Sequence, residues 1–357
     1  MTDIHVFIGT KAQYIKTGPL IRLMDQEGVD YRLIDSGQHA ALSSSMRAEL
    51  GIRTPDHLLG DERDVTSIPQ AIGWMMALAL RLWSGRRLHR EIFGGRGGIC
   101  VVHGDTPSTL LSTLMAKRAG LAVAHLEAGL RSHDWLHPFP EELVRMIVMR
   151  RADLLFAPDR AALDNLDAMG VNGKIVALDG NTSIEAIRHA DPDLDLTGGQ
   201  VVVTMHRVEN LHRRARRQGF VDLVERMAGA HRVRFVLHEP TRAALTGSLL
   251  ERLKAAGVEL TPLTTHAEFV RLLAAAPFVV TDGGSIQEEC ALLGVPTLLW
   301  RGKTERADGL GENVILSHYD SKTIDGFLEN VESYRRARAT TEVNPSAQIL
   351  AELSDWR

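Results

Sequence analysis

Five apolar, β-branched runs in this chain stop abruptly on polar groups able to do chemistry. HVFIGT leads into Gly9, Thr10 and Lys11, and ICVVHGDT into His103, Gly104 and Asp105. LAVAHLEAG ends in His125 and Glu127, VVVTMHRVEN in His206, Arg207 and Glu209, and FVVTDGGSIQEE in Asp282, Gly283, Gly284 and Ser285. Carboxylates and histidines can move protons near neutral pH, and Lys and Arg can hold an anion. In an open parallel sheet, ligands bind outside the carboxyl ends of the strands. One such ending is chance, whereas five from both halves of the chain point to one cleft between two facing sheets. The loop 282–285 precedes an apolar helix bearing Gln287, Glu288 and Glu289. Its glycines, its hydroxyl and the free N–H groups of a helix start suit a phosphate, and a Glu further on can accept from ribose hydroxyls. Gly and Ser also cap helices for purely structural reasons, so the loop gains weight only beside the other endings.

Rival chemistries lack their residues. There is no GxGxxG, no GxxxxGK[ST] and no GxSxG. His133 and His137 stand four apart, but Pro138 and Pro140 follow and no HExxH accompanies them, so no metal site is expected. The two cysteines, Cys100 and Cys290, are too few for a disulfide framework or a thiolate zinc site and fit a reducing compartment. What remains is carboxylates, histidines and cations around a nucleotide diphosphate, with no cofactor.

An alternation of strands and helices must position these groups. Strand-like runs fall at 4–8, 99–102, 121–124, 175–178, 201–204, 234–237 and 278–281, with helical spacing at 106–119, 141–150, 220–230 and 286–293. No hairpin dipeptides join the strands, which reads as parallel βαβ units. The length of 357 residues suits two domains, and 44% hydrophobic with 24% charged residues suits a large core. A junction is expected near 181–199, where Asp191-Pro192 and Gly198-Gly199 precede a fresh strand; an ordinary loop is the blander reading. A formal net charge of -4 argues against nucleic acid as a partner. The basic run HRRARRQ (212–218) therefore reads as a solvated loop or helix start. The longest apolar run, 74–80, falls far below the roughly 20 residues of a spanning helix. WMMALALRLW, followed by Arg86, Arg87 and Arg90, reads as a sheet-covering helix with cations at its C-terminus, ahead of a membrane-surface helix. MTDIHVFIGT shows no secretory pattern, so a cytoplasmic protein without a membrane partner is expected.

Taken jointly, GTKAQYIKTGPLI, VVHGDTPSTL, AHLEAGLRS, FPEELVR, GNTSIEAI, TMHRVEN and TDGGSIQEECALLGVPTLLWRGKTER resemble the non-hydrolysing UDP-N-acetylglucosamine 2-epimerase family, in family order from 9 to 306. The resemblance implies an α/β protein of GT-B architecture, with two Rossmann-like parallel-sheet domains facing across a cleft. Residues 1–182, completed by a C-terminal helix at 343–357, would carry the catalytic carboxylates, and 183–342 would bind the nucleotide. Asp105, Glu127 and Glu141 match the acid/base carboxylates, and His206 a catalytic or diphosphate-contacting histidine. Lys11, Lys16 and Arg207 would serve the substrate, with Gly283, Gly284 and Ser285 in the phosphate loop and Glu289 on the ribose. Phe269 aligns with an aromatic that packs on uracil, and Arg131, His238 and Arg306 lie in cleft-forming motifs. A UDP-sugar substrate and a homodimer follow from the same resemblance.

The chain departs from the family in three places. GTKAQ replaces GTRPE, so Lys11 offers a point charge instead of a guanidinium fork. DGGS replaces DSGG, exchanging a hydroxyl and a glycine. QHAALSSSM keeps Gln38 and His39 but lacks the charged residues many bacterial members place beside an allosteric substrate molecule, so weak or absent activation by UDP-GlcNAc is expected. Release of free ManNAc by hydrolysis, glycosyl transfer and silent nucleotide-sugar binding are the competing functions.

Overall fold

Apart from the partly exposed edge strand at 174–177, the expected strand runs pair with their neighbours in parallel sheets and are largely buried on both faces. The computed structural model describes residues 2–37, 40–59, 84–134, 141–190, 199–339 and 342–356. The apolar run 74–80, Gln38, His39, His137, Pro138, Pro140, Asp191, Pro192 and Gly198 lie outside them. The chain divides into two units, Met1–Ala186 with Glu342–Arg357, and Ile187–Thr341.

In unit 1, β1 (Ile4–Ile8), β2 (Tyr31–Asp35), β3 (His57–Leu58), β4 (Ile99–His103), β5 (Ala122–Leu126), β6 (Leu154–Ala157) and β7 (Lys174–Ala177) form a seven-stranded sheet of order β3-β2-β1-β4-β5-β6-β7. Its helices are α1 (Lys11–Gln26), α2 (Ala40–Leu50), α3 (Gly85–Glu91), α4 (Pro107–Ala119), α5 (Glu141–Met149), α6 (Arg160–Met169) and the start of α7 (Ser183–His189). In unit 2, β8 (Val201–Val203), β9 (Val233–Leu237), β10 (Glu259–Pro262), β11 (Val279–Thr281), β12 (Thr297–Leu299) and β13 (Val314–Leu316) form a six-stranded sheet of order β10-β9-β8-β11-β12-β13. Around it lie α8 (Val208–Leu211), α9 (Arg214–Ala228), α10 (Glu239–Ala244), α11 (Gly247–Ala255), α12 (His266–Ala275), α13 (Gly284–Leu293) and α14 (Ser321–Glu329); α15 (Pro345–Ser354) returns to unit 1. This is an α/β plan of GT-B type with two parallel sheets.

Strand alternation divides the core of each unit between two faces. On β1, Ile4, Val6 and Ile8 pack with Leu20, Ile21 and Met24 of α1 and with Ile349, Leu350 and Leu353 of α15. Phe7 points the other way, toward Leu111 and Met115 of α4. Hydrogen bonds from Ser346 N and Oγ to Glu185 Oε2, at 3.1 and 2.6 Å, tie α15 down. In unit 2, Val201 and Val203 join Phe220 and Phe235, while Val202 faces Phe269, Val270 and Ile286.

One detail differs from expectation and one agrees with it. Arg86, Arg87 and Arg90 lie on a helix that Ser84 caps, its hydroxyl accepting from Arg87 N at 3.3 Å, and the apolar stretch before them lies outside the described residues. The basic run 212–218 does prove to be a helix start, since α9 begins at Arg214.

Candidate active site

Strand order reverses between β1 and β4 in one sheet and between β8 and β11 in the other, and such switch points open the crevices where ligands settle. Four of the five polar strand endings sit on these strands, and the fifth, Glu127, on β5 beside β4.

In unit 1, capping chemistry fixes the switch point. Thr10 caps α1 in a reciprocal box, its side chain accepting from Gln13 N at 3.4 Å while Gln13 Oε1 accepts from Thr10 N at 3.1 Å. Gln13 Nε2 then donates to the His103 carbonyl at 2.8 Å, lashing α1 to the end of β4. Thr106 caps α4, with Pro107 at its first position. Between strand and cap, Gly104 turns at φ 70°, a conformation only glycine takes at little cost, and so presents Asp105.

Glu127 has no such freedom. It follows β5 at φ 63°, one of four non-glycine residues with positive φ among those described. Left-handed backbone costs roughly 1–2 kcal/mol for a residue with a Cβ, so the side chain must be held firmly. Lys16 Nζ lies 2.5 Å from its Oε1 and Asn181 Nδ2 donates to the same oxygen at 2.7 Å. The Lys16 and Glu127 side chains are only 4% and 7% exposed, so each neutralises a charge the other could not bury alone.

Asp105 meets the Arg145 guanidinium, which also reaches Glu142 Oε2 at 3.4 Å. Glu142 is fully buried, pairing with Arg131 Nε and accepting from Ser132 N at 3.0 Å. Burial works to raise its carboxyl, yet the Ser132 hydrogen bond and the Arg131 and Arg145 guanidinia hold it below the usual range. A continuous chain therefore runs Asp105–Arg145–Glu142–Arg131. Glu141, expected as an acid/base group, is the first residue of α5, partly buried; Lys11 likewise opens α1. His103 and His125 are buried beneath, each pushed down to about 4, burial being the largest cause. The nearby Lys16 lowers His103 further and Arg145 lowers His125, against the carboxylates that pull both up. His125 Nε2 must carry its proton, because its partner at 2.8 Å is the Gly104 carbonyl.

In unit 2 the organiser is Asp282, fully buried at the end of β11. It accepts from His206 N at 2.9 Å, Arg207 N at 3.0 Å and Asn210 Nδ2 at 2.9 Å, pinning the loop after β8 across the switch point. His206 Nδ1 lies 3.5 Å from Asp282 Oδ1, and its ring stacks on His238 with centroids 4.6 Å apart. Burial lowers the His206 pKa; Asp282 pulls it up, while Arg207 and Arg301 push it down again, and the net shift is downward. Space is tight at the start of α13: a Cβ on Gly283 would lie 2.9 Å from His206 Cε1, and one on Gly284 would lie 3.2 Å from Glu305 Oε1. No side chain caps this helix, and Ser285 is in its first turn, which leaves its leading N–H groups for an anion. The cations are braced by acids: Arg207 by Glu305 at 3.2 Å, Arg301 by Glu305 at 2.9 Å, and Arg306 by Glu288 at 2.9 Å.

The contacts described link Lys16 to Glu127, and Asp105 through Arg145 and Glu142 to Arg131, in unit 1. In unit 2 they join His206, Arg207, His238, Gly283, Gly284 and Arg306 around the loop after β11, with Ser285 in the first turn of α13. Lys11 and Glu141 are placed only as the first residues of α1 and α5. Lys16 and Arg131, expected on substrate, pair with Glu127 and Glu142. Glu289 accepts from His266 Nε2 at 3.0 Å, both residues buried, and Phe269 lies in the apolar cluster beneath α12. Glu142, Arg145, Asn181 and Asn210 were not singled out as site residues from the sequence, and Asp282 was read there only as part of a polar strand ending. The three-residue spacing of Glu142 and Arg145 in FPEELVR, and an Asp directly at a strand end, were the available signals.

The family profile of UDP-N-acetylglucosamine 2-epimerase matches residues 22–347. The UDP-N-acetylglucosamine 2-epimerase of Methanocaldococcus jannaschii is 26% identical over 344 residues, 90% of each chain. The UDP-2,3-diacetamido-2,3-dideoxy-D-glucuronate 2-epimerase of Pseudomonas aeruginosa is 30% identical over 329 residues, 88% of each. Among solved structures, the M. jannaschii enzyme in complex with UDP-GlcNAc and UDP superimposes with a TM-score of 0.82 at 24% identity, covering 99% of both chains. No helix among the described residues is long and apolar enough to cross a membrane. The chain belongs to the UDP-N-acetylglucosamine 2-epimerase family.

Proposed function

We propose that the protein interconverts UDP-GlcNAc and UDP-ManNAc, epimerising C2 by elimination and re-addition of UDP, in the synthesis of a bacterial surface-glycan precursor. The observation that carries this reading is the pair of carboxylates at the ends of adjacent strands, Asp105 after β4 and Glu127 after β5, each in contact with its own cation. The C2 proton of a hexosamine is not acidic, so direct removal is slow. Departure of UDP gives oxocarbenium character at C1 and acidifies C2–H; a carboxylate then takes the proton, leaving a 2-acetamidoglucal. Protonation from the opposite face and return of UDP to C1 give the epimer. Two faces need two acid/base groups, and Asp105, Glu127 and Glu141 supply them. Lys11, Arg207, Arg306, His206 and the start of α13 stabilise the departing diphosphate. The resemblance also carries a homodimer and a cytoplasmic setting.

A second sugar has a specific claim. The Pseudomonas relative, named for a diacetamido uronate, is 30% identical, the same as the UDP-N-acetylglucosamine 2-epimerase of Bacillus subtilis, so identity favours neither sugar. Each nucleotide sugar should therefore be incubated with the protein in D2O and followed by proton NMR. Deuterium at C2 of a nucleotide-linked sugar is the expected result, and the faster substrate identifies the sugar. Free ManNAc with UDP would replace the proposal by a hydrolase, and no turnover of either sugar would leave a transferase or a binding protein.

A further inference from the structure

We propose that Tyr319 is a positioning residue for His206, acting through a hydrogen-bonded chain formed by Asn210 and Asp282. The backbone gives the first indication. His318 and Tyr319, consecutive after β13, have φ of 48° and 61°, two of the four non-glycine residues with positive φ among those described. Such conformations persist only where the surroundings over-determine them, and they cluster at functional sites. Here the surroundings are explicit. His318 Nδ1 donates to the Gly302 carbonyl at 2.9 Å, and the Tyr319 ring meets Trp300 edge-on at 5.3 Å between centroids. Arg216 covers the ring with its guanidinium carbon 4.2 Å from the centroid. The phenol is thereby aimed at Asn210.

From there every link has one sense. Tyr319 OH donates to Asn210 Oδ1 at 3.0 Å. Asn210, fully buried, donates through Nδ2 to Asp282 Oδ2 at 2.9 Å and to the Trp300 carbonyl at 3.1 Å. A flipped amide would set its oxygen against a carboxylate, a carbonyl and no donor, so the orientation is fixed. Asp282 then holds the His206 N–H and faces the His206 ring. Donors in series polarise one another, so the phenol strengthens the Asn210 N–H that Asp282 receives. Without it, Asn210 Oδ1 is buried and unsatisfied, Asp282 is less well served by donors, and its oxygen becomes a stronger acceptor for a proton on His206. The other groups facing His206 are Arg207, Arg301 and the stacked His238. Tyr319 stands beyond them and reaches the ring through the chain.

The catalytic consequence rests on the epimerase reading, but the chain itself does not. Tyr319→Phe removes the one O–H and keeps the ring packing. In long-range proton–nitrogen NMR of the full-length protein, the His206 titration midpoint should move upward, with the melting temperature nearly unchanged. Asn210→Ala, which cuts the middle link, should move it in the same direction. Arg216→Ala, which uncovers the ring but spares the O–H, should not. With UDP-GlcNAc, Tyr319→Phe should lower kcat about three- to tenfold, the range governed by one hydrogen bond. KM and UDP affinity should hold, and the acid limb of the kcat profile should follow the His206 midpoint. A His206 titration identical to wild type in Tyr319→Phe, or shifted equally by Arg216→Ala, overturns the proposal. Wild-type protein that turns over no UDP-sugar overturns the epimerase reading instead and leaves the NMR comparison decisive for the chain.

Discussion

Glu127 combines a strained backbone with a carboxylate gripped from two sides by Lys16 and Asn181. That pairing couples chemistry to folding: Glu127→Gln leaves the buried Lys16 without this countercharge, at a stability cost of roughly 3–5 kcal/mol, so activity is compared on protein shown to be folded. Glu127→Gln keeps the side-chain volume and the same φ requirement, so it leaves the turn's own energy nearly unchanged. It removes the negative charge that Lys16 faces and the group proposed to exchange the C2 proton. The expected result is a kcat roughly 10²–10⁴-fold lower, with C2–H exchange into D2O falling in step. UDP affinity, measured by calorimetry, should be nearly unaltered, since the nucleotide contacts proposed lie mainly on unit 2 and none is made by Glu127. Wild-type exchange in this variant would remove Glu127 from the mechanism. Asp105 and Glu127 were legible in the sequence because each directly follows an apolar run. Glu142 and Arg145 were not, because their pairing depends on the end of β4 and the loop at Arg131 approaching the same turn of α5.

Among the elements, several with an unbroken apolar run could be read directly, Ile4–Ile8 being expected at 4–8 and Ile99–His103 at 99–102, although the equally apolar Leu154–Ala157 was not among the expected strands. Tyr31–Asp35 escaped because Arg32 and Asp35 break the run, and Glu259–Pro262 because it begins on a charge and ends on proline. Thr297–Leu299 and Val314–Leu316 were also missed, although three-residue Val201–Val203 and Val279–Thr281 were expected. Helix α9 starts six residues before its expected limit because RARRQG carries no apolar repeat. The closing helix, α15, has the most testable share of the packing. Leu353 is completely buried against the α1 side of the first sheet. Leu353→Ala should destabilise unit 1 by about 2–5 kcal/mol, the range for truncating a buried leucine. Hydrogen exchange should quicken in β1 and α1 while β8 and β11 keep wild-type protection; uniform quickening through both units would contradict this assignment.

Buried neutral histidines give the protein a defined acid limit. His103 and His125 are pushed from 6.5 to about 4, so the unfolded chain binds protons that the native state refuses. Their contribution to stability is full above pH 6.5 and is lost as pH falls from there toward 4, on the order of 3 kcal/mol for each. His206 and His5, also lowered, add in the same sense. The urea midpoint should therefore be level from pH 8 to 7 and fall steeply between pH 6.5 and 4.5, whereas a flat midpoint across that window would show that these rings are protonated in the native protein. The return of α15 to the first sheet has a temporal consequence as well. Unit 2 is one continuous stretch, Ile187–Thr341, and has every residue it needs once Thr341 has left the ribosome. Unit 1 is interrupted, and the apolar flank formed by Ile4, Val6, Leu20 and Ile21 waits for 342–356. The half of the chain made first is thus the half finished last, and until then it exposes the surface a chaperone would recognise.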